Sequence, residues 1–539
     1  MLDAKYAQMN THADPVTLAA RLDQIAFEVA AFLADRQLPD GDLPARNYYG
    51  RAFSVLTWAQ YGNRFLDNMN RAVQNIAREQ SLPLPRKYHF EFNRYALLKA
   101  RELSPSIPAI DAALGPERYT GTRVANWMLL RIYCRFHSNH AVSRCLGRAE
   151  LVAARLWFAD PSGMIEDQRG AYTMQYHAFC VALLGEILSH QPPQSTAVSR
   201  WFKQSIDALV LLVLPGGQCN YVGRGSLQSF GYAAAILAFV RAYTVFGNEY
   251  YLEKAEAVLG YVKLFQRSDG SFPLVLSGAP EGDPSRFDLM NPLYAGWWSY
   301  NNFYDYLPFT AALLGLSKKL LLQRPSCREY SVVTLLGLRR MGKAMVLIHK
   351  DRYSAFIALP NKRVWASSLP IPFLAVNGKY PLPCYGGEQH QASLYSEYAL
   401  PLPIIETESK GEILLAGADY AWSNDDSFMG STSYVRHERQ FTFDENKIVV
   451  RDSISWDACL SVQKVRAPRL LIRTDTAKQI KETCLQLDGL TIEFDGPIED
   501  EQSVLYGPQG SLTAWVRQNL SIGAGLEQRH VVCEMSFVL

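Results

Sequence analysis

The sequence predicts two layered domains: an N-terminal (α/α) toroid of helical hairpins and a C-terminal antiparallel β-sandwich or β-sheet domain. Apolar residues recur with a helical period through the first 325 residues, without convincing strand alternation. Gly163, Gly217 and Gly270 lie about one αα unit apart, which is typical of a helical array. Beyond Arg324 and Pro325, short alternating runs replace the helices. The predicted domains are 1–325, an incomplete toroid, and 326–539, an antiparallel β domain.

The helical half begins with an amphipathic segment at 14–36, whose apolar residues include Leu18, Leu22 and Ile25. A second helix runs through Phe53 and Trp58. Further helices are predicted at 64–79, 88–103, 119–137, 142–157, 171–190, 196–213, 227–246, 249–266 and 300–321. If the three repeated glycines mark equivalent loops, those loops share one end of the toroid.

The second half contains strand-like runs bounded by turn residues. Seven such runs stand out, and the turn Asp444–Lys447 separates two of them like a hairpin. The predicted strands are 344–349, 353–358, 413–416, 440–443, 448–450, 470–472 and 491–494. An all-α half followed by an all-β half predicts a cleft between the two domains.

Composition excludes several classes of function. The 54 basic and 52 acidic residues give a net charge of +2, which supports neither a nucleic-acid nor a polybasic membrane partner. The nine cysteines are scattered, form no CxxC pair and suit a reducing compartment. No signal peptide is visible, so the sequence predicts a cytoplasmic protein unless a signal was removed. No run of about 18 apolar residues predicts a membrane span, and the oligomeric state is left open.

The segment 160–180 carries the densest group of polar and aromatic residues. Its acidic loop contains Glu166 and Asp167, and a helix follows that opens with Gln175, Tyr176 and His177. Residues where a loop meets a helix are often functional. The alternative is a solvated loop whose tyrosine and histidine cover the helix end.

Two further groups lie on neighbouring predicted hairpins. Arg123 and Asn126 are three residues apart and share a predicted helix face, with Trp127 beside them. A buried amide needs hydrogen-bond partners, so Asn126 either binds substrate or supports a neighbouring loop. Glycines flank Arg224, whose planar guanidinium suits a carboxylate or, alternatively, an interhelix ion pair. The candidates around Arg224 are Tyr221, Gln228 and Tyr232.

The remaining candidates lie near the predicted domain junction and in the β half. His390, His437 and Arg439 either face the cleft or lie on strand surfaces. Trp297, Trp298 and Tyr304 either stack on sugar rings or belong to the core. No nucleotide-binding loop, GxSxG elbow or HExxH motif is present, and no ligand set requires a metal or cofactor.

These segments resemble the polysaccharide lyases of the heparinase II/III, alginate lyase and chondroitin lyase type. The acidic loop leading to Tyr176 and His177 is similar to a heparinase II/III-like segment, and Asn126-Trp127 is similar to an Asn-containing segment on an earlier toroid helix. The segment 433–454 resembles a β-domain segment with a His/Arg pair and a valine-rich strand ending in Asp. This sequence departs from the family in having Trp127 after Asn126 and no secretion signal.

The resemblance implies β-elimination on a uronate-containing polysaccharide or oligosaccharide. Abstraction of the C5 proton requires that the adjacent carboxylate be neutralised. The implied catalytic residues are Tyr176 as base or acid, Asn126, Arg224 and His437 on the carboxylate, and His177 and Tyr232 in support. The implied substrate-binding residues are Trp127, Gln175, Tyr221, Gln228, Trp298, Tyr304, His390 and Arg439. No cofactor or metal is implied, and the partner is an acidic polysaccharide.

Three other functions fit the same residues. A glycoside hydrolase on an α/α toroid would use paired carboxylates, with Glu166, Asp167 and Asp305 available. A non-catalytic polysaccharide-binding or exopolysaccharide assembly protein would bind the chain without shortening it. A C5-epimerase would abstract the same proton without breaking the chain.

Overall fold

A computed structural model gives the fold of most of the chain. The described residues are 14–45, 47–80, 89–105, 107–169, 172–190, 196–221, 225, 227–273, 276, 303–323, 337–342, 345–350, 351–358, 371, 373–382, 404–407, 411–414, 419–424, 427–431, 435–460, 462–466, 469–473, 479–487, 489–506, 512–518, 520–521 and 530–539.

Helical hairpins form the N-terminal domain, as the sequence predicts, and the described part of the domain contains six. The first helix of each hairpin lies on the outside and the second lies on the inside. The outer helices are α1 (Pro15–Arg36), α3 (Leu66–Gln80), α5 (Ile110–Leu114), α7 (Ala141–Phe158), α9 (Thr196–Leu212) and α11 (Tyr250–Lys263). The inner helices are α2 (Gly50–Ala59), α4 (Phe90–Leu103), α6 (Ala125–Phe136), α8 (Met174–Leu188), α10 (Ser229–Phe246) and α12 (Phe303–Leu321).

The inner helices close into a ring, which corrects the prediction of an incomplete toroid. Each inner helix packs against the next, and α12 packs back against α2. Asp305 joins these two ends, because its Oδ1 accepts hydrogen bonds of 2.8 Å from the backbone N–H groups of Tyr48, Tyr49 and Gly50. A carboxylate at a helix N-terminus satisfies otherwise unpaired N–H groups. One side chain therefore starts α2 and links the first hairpin to the last.

The inner ring explains why two helices are apolar on every face. Nearly all residues of α8 and α10 are buried, and buried helices need no polar face. The helix α10 is long and apolar enough to cross a membrane, but 89% of it is buried within the protein. Its composition is thus that of a core helix in the toroid.

Three equivalent turns connect outer helices to inner helices, as the glycine spacing predicts. Gly163, Gly217 and Gly270 have φ angles of 91°, 85° and 84°, and each N–H donates to the carbonyl three residues earlier. A Cβ atom there would collide with the carbonyl of Gln204, Ala257 or Glu28 on the neighbouring outer helix. Gly41 forms a fourth such turn, with a φ of 91°. Because all four lead from an outer to an inner helix, they share one end of the toroid.

Strands in antiparallel sheets form the second half of the chain, as predicted, and the described residues contain twenty of them. They are β1 (Gly337–Met341), β2 (Met345–His349), β3 (Tyr353–Ala358), β4 (Phe373–Val376), β5 (Lys379–Leu382), β6 (Ile404–Thr407), β7 (Gly411–Leu414), β8 (Asp419–Asn424), β9 (Ser427–Ser431), β10 (Val435–Phe443), β11 (Lys447–Trp456), β12 (Val462–Arg466), β13 (Arg469–Arg473), β14 (Gln479–Lys481), β15 (Cys484–Leu487), β16 (Leu490–Phe494), β17 (Ile498–Tyr506), β18 (Leu512–Gln518), β19 (Leu520–Ser521) and β20 (His530–Val538). The strands β1 to β5 form one sheet in chain order, and β14-β15-β16-β20-β11-β10-β9-β8 form the largest.

The strands β10 and β11 form the hairpin that the sequence predicts. Phe443 pairs with Ile448, and the N–H of Asp444 donates to the carbonyl of Lys447 across the turn. Burial alternates along β10, with residues 435, 437, 439 and 441 inside. This is the two-residue period of a strand with one face in the core.

The first sheet of the β domain contacts the turn-bearing end of the toroid. The Gly342 N–H donates to Ser162 Oγ at 2.8 Å, and Nε2 of His349 lies 2.9 Å from the carbonyl of Leu211. The ring of Tyr221 stacks on Phe373, with centroids 4.2 Å apart. The last toroid helix ends at Leu321 and the first strand begins at Gly337. The β domain therefore covers the end where the inner helices begin.

Candidate active site

All six inner helices begin at the toroid end that the β domain contacts. Helix N-termini carry partial positive charge, so a ring of them favours an anionic ligand. Aromatic and polar side chains open each helix at this end. They are Tyr48 and Tyr49 before α2, His89 before α4, Asn126 and Trp127 in α6, Gln175 and Tyr176 in α8, Gln228 and Phe230 at α10, and Phe303 and Tyr304 in α12.

An aromatic cluster with one imidazole forms part of this end. His89 lies 4.7 Å from Tyr48 and 5.1 Å from Trp127, measured between ring centroids. Trp127 also packs edge-on against Phe92, and both Trp127 and His89 are partly exposed. Trp127 is a candidate predicted from the sequence, whereas His89 is not among the predicted residues. The recurring aromatic or polar pair at each inner-helix start is the sequence signal that would have identified it.

Asn126 is a buried amide in the first turn of α6. It is 1% exposed, and its Oδ1 has no hydrogen-bond partner among the described residues. The backbone N–H of Ala125 donates to the carbonyl of Asp167 at 2.9 Å, which holds this turn against the acidic loop before α8. An unpaired buried amide costs about 1–3 kcal/mol. The Oδ1 atom of Asn126 is thus free to accept a hydrogen bond from a group outside the described residues.

Gln175 holds the start of α8 against the segment that carries Arg224. Its Nε2 donates to Gln228 Oε1 at 2.8 Å, and its Oε1 accepts from Asn220 Nδ2 at 3.3 Å. Gly225 has a φ of 73°, and a Cβ there would lie 2.0 Å from Gln175 Nε2. The neighbours of Tyr176 and Arg224 in the chain are therefore in direct contact. Arg224 itself lies outside the described residues, as do Trp298, Trp297 and His390.

Tyr176 lies one residue beyond Gln175, on the inner ring. Its ring is 3% exposed and meets Phe230 edge-on, with centroids 6.1 Å apart. The ring belongs to the hydrophobic core of the toroid. The structure therefore places a buried phenol beside the glutamine that contacts Asn220, Gly225 and Gln228.

His177 is fully buried on the opposite side of the same turn. Its Nδ1 accepts a hydrogen bond of 3.0 Å from the backbone N–H of Ile165. Burial lowers the pKa of His177 to about 3, and contact with the Ser205 backbone opposes this only in part. A neutral imidazole that holds the 160–173 loop is a poor proton carrier near neutral pH. The geometry thus favours a positioning role for His177.

Acid should destabilise the protein through His177. In the unfolded chain this histidine binds a proton near pH 6.5, whereas the folded imidazole stays neutral down to about pH 3. Its contribution is therefore complete above pH 6.5 and is lost as the pH falls. Between pH 7 and pH 5 the free energy of unfolding should fall by about 2 kcal/mol more in the wild type than in His177→Asn. Urea unfolding followed by the helical signal at both pH values measures this difference, and equal losses would contradict it.

Three other predicted tyrosines occupy different environments. Tyr232 is fully buried in α10, and its hydroxyl donates to Gln218 Oε1. Tyr221 is 1% exposed and stacks on the β domain, so it joins the two domains. Tyr304 is partly exposed at the start of α12, where it meets Phe303 edge-on. Of the three, only Tyr304 faces solvent at the site end.

His437 and Arg439 form a buried ionic triad with Asp452. Arg439 Nε and a second guanidinium nitrogen donate to the two oxygens of Asp452 at 2.6 and 2.8 Å, and His437 Nε2 lies 2.9 Å from Oδ1. Burial raises the pKa of Asp452, because it disfavours the charged carboxylate. The guanidinium of Arg439 lowers this pKa by more, so it lies well below its usual range. Burial lowers the pKa of His437 despite the carboxylate. All three are at most 1% exposed, so the contact joins β10 to β11 inside the β domain, and removal of one partner would leave a buried charge unpaired.

The carboxylates required by a hydrolase are engaged in structural contacts. Asp305 accepts three backbone N–H groups at the start of α2. Glu166 accepts a hydrogen bond of 3.1 Å from the hydroxyl of Tyr172, which also donates to Asp160 at 3.1 Å. Asp167 is 2% exposed. These contacts favour carboxylates that support the loop and ring over a pair that flanks a glycosidic bond.

The chain is similar over most of its length to a solved polysaccharide lyase. Chondroitin AC lyase from Streptomyces coelicolor A3, in complex with chondroitin sulphate, matches with a TM-score of 0.51 at 11% identity over 96% of this chain and 79% of that one. A tyrosine-to-alanine mutant of the same enzyme matches with a TM-score of 0.50 at 11% identity, with the same coverage. This chain shares the fold of chondroitin AC lyase.

A third structure matches a smaller part of the chain. Unsaturated glucuronyl hydrolase from Streptococcus agalactiae has a TM-score of 0.41 at 10% identity, over 58% of this chain and 93% of that one. No family model matches the sequence, and no curated protein matches it significantly. The similarity to chondroitin AC lyase therefore rests on three-dimensional structure, and it confirms the predicted toroid and β domain.

Proposed function

We propose that this protein is a polysaccharide lyase that cleaves a uronate-containing polysaccharide or oligosaccharide by β-elimination. The observation that carries the proposal is the packing of Gln175 against Asn220, Gln228 and Gly225. This contact brings the start of α8, with Tyr176, against Asn220, Gly225 and Gln228, the described residues on either side of Arg224. In the proposed mechanism Tyr176 is the proton carrier and Arg224 is the carboxylate clamp.

The chemistry follows from the acidity of the uronate. The base removes the C5 proton, the bond between C4 and the glycosidic oxygen breaks, and a C4–C5 double bond forms. The leaving oxygen takes up a proton, so the chain is cut without water. Asn126 and Arg224 stabilise the charge that develops on the carboxylate, and Tyr176 takes the C5 proton and returns one to the leaving oxygen.

The surroundings support an anionic sugar at this site. The inner-helix N-termini favour negative charge. The partly exposed ring of Trp127 offers an apolar face to a pyranose, with His89 beside it. The chondroitin sulphate bound to the structurally similar lyase is itself an acidic polysaccharide. These features support a uronate polymer as the substrate class.

The appearance of unsaturated product tests the proposal. Incubation with a panel of uronate polysaccharides should raise ultraviolet absorbance, because elimination creates a double bond conjugated to the carboxylate. A hydrolase would shorten the same polymer without this absorbance. A binding protein would leave both chain length and absorbance unchanged, and an epimerase would exchange the C5 proton with solvent deuterium at constant length. Any of these three results would contradict the lyase assignment.

A further inference from the structure

A second cavity lies on the outer side of α6, behind the turn that carries Asn126. It has a volume of about 480 Å³ and opens between α6, α7 and the connection before α6. Its charged and aromatic lining consists of Tyr119, Arg123, Arg131, Arg135, Glu150 and Trp157. Arg123 precedes α6 and Trp157 lies in the last turn of α7, so this part of the cavity lies at the toroid end of the candidate active site, while Arg135 lines the cavity at the other end of α6.

The cavity carries an excess of positive charge. Arg131 and Arg135 each donate to Glu150 at 3.0 Å, so one carboxylate serves both. Arg131 also lies 3.4 Å from the buried Glu91. The exposed guanidinium of Arg123 has no carboxylate partner among the described residues, and it lies 5.7 Å from the ring of Trp157. Glu91 and Glu150 together offset two of the three guanidinium charges. The remaining positive charge, on Arg123, attracts an anion.

The aromatic side chains give the cavity the shape expected for a sugar site. Trp157 is 43% exposed, although large aromatic side chains are usually buried. The hydroxyl of Tyr119 is buried without a hydrogen-bond partner among the described residues, and Arg135 lies 4.7 Å from the Tyr119 ring. An indole that packs on the apolar face of a pyranose, a guanidinium for its carboxylate and an unpaired hydroxyl together match an acidic sugar.

We infer that this cavity is a secondary binding site for an acidic saccharide, distinct from the proposed cleavage site at the starts of the inner helices. Its volume accommodates about a disaccharide, a small ligand by the usual scale of such pockets. The identification of the ligand as a uronate rests on the proposed function. A long polymer that engages both faces of α6 would gain affinity without any change in the chemical step.

Substitution of Arg123 and Trp157 tests this site. In the full-length protein, Arg123→Gln and Trp157→Ala should each weaken calorimetric binding of a glucuronate-containing disaccharide about tenfold. Arg148→Gln removes an exposed arginine from α7 outside the cavity and should leave the affinity unchanged. A neutral disaccharide should not bind. Wild-type affinity in both cavity variants, or an equal loss in Arg148→Gln, would overturn the inference.

Kinetics separate this inference from the proposed function. On a long uronate polymer, Arg123→Gln should raise KM about tenfold and leave kcat unchanged, whereas both constants should be unchanged on the shortest substrate that is cleaved. A fall in kcat would place Arg123 in the chemical step and overturn the secondary site. If no polymer gives unsaturated product, the proposed function fails, and the calorimetric comparison of Arg123→Gln with Arg148→Gln still decides the inference.

Discussion

Tyr176→Phe should reduce kcat by about 10²–10⁴-fold while leaving substrate affinity within about twofold. The substitution removes only the phenolic oxygen, so the ring keeps its contact with Phe230 and the start of α8 keeps its packing. A group that carries a proton contributes in the transition state more than in the bound ground state. The loss should therefore appear in kcat, measured from the initial rate of unsaturated product at saturating polymer.

A matched substitution separates catalysis from packing. Tyr232→Phe also removes a buried phenolic oxygen from an inner helix, where the hydroxyl donates to Gln218. That variant should lose about 1 kcal/mol of stability and retain most of its turnover. Full turnover in Tyr176→Phe would refute its role as proton carrier and make His89 the next candidate. Equal loss in both variants would indicate that inner-ring packing, rather than proton transfer, limits the rate.

Local sequence patterns predicted the toroid better than its closure. Helical periodicity and the spacing of Gly163, Gly217 and Gly270 depend on residues near one another in the chain, and the structure reproduces both. Closure depends on Asp305 meeting the N–H groups of Tyr48 and its two successors, which are more than 250 residues away. The periodicity of neighbouring residues contains no information about a contact between residues so far apart in the chain. The short helix α5 was also missed, because five residues are too few to show a period.

The contact between Arg439 and Asp452 could have been predicted from the sequence through the register of the β10–β11 hairpin. The turn Asp444–Lys447 makes Phe443 and Ile448 the first cross-strand pair, and counting back from it places Arg439 opposite Asp452. An arginine and an aspartate paired across a hairpin interact most simply with each other. The register alone therefore predicts the ion pair. His437 lies two residues from Arg439, on the same strand face, and joins it.

Several residues predicted for the candidate site lie at one end of the toroid, but the sequence did not predict their individual contacts. Asn126, Trp127, Gln175 and Tyr176 all lie at the starts of inner helices on one toroid end. Their side chains differ in exposure and in hydrogen bonding, which no sequence period encodes. Gln175 was predicted to bind substrate, whereas its amide is engaged by Gln228 and Asn220. Its contribution to the site is the contact between two segments that carry candidate groups.

Asn126→Leu should reduce kcat/KM by about 10²–10³-fold without loss of stability. The amide would donate to the developing charge on the uronate carboxylate, and removal of one such donor typically costs this factor. Leucine has the same branching and the same number of side-chain heavy atoms as asparagine, is somewhat larger, and has no polar atoms. Because Oδ1 of Asn126 has no partner among the described residues, the substitution removes an unsatisfied buried group. The free energy of unfolding should therefore stay the same or rise by about 1 kcal/mol.

Asn93→Leu is the matched stability control for this prediction. Asn93 is also a buried inner-helix amide, 3% exposed, but its Nδ2 donates to the carbonyls of Tyr48 and His89 at 3.1 and 2.9 Å. Leucine there removes the amide hydrogen bonds to both carbonyls, while the His89 carbonyl keeps its bond from the backbone N–H of Asn93, so stability should fall by about 1–3 kcal/mol. Opposite effects on stability from the same substitution would mark Asn126 as a group retained for binding rather than for folding. If Asn126→Leu destabilises the protein as much as Asn93→Leu, the amide has a structural partner and the carboxylate must be neutralised by other groups, with Arg224 first among them.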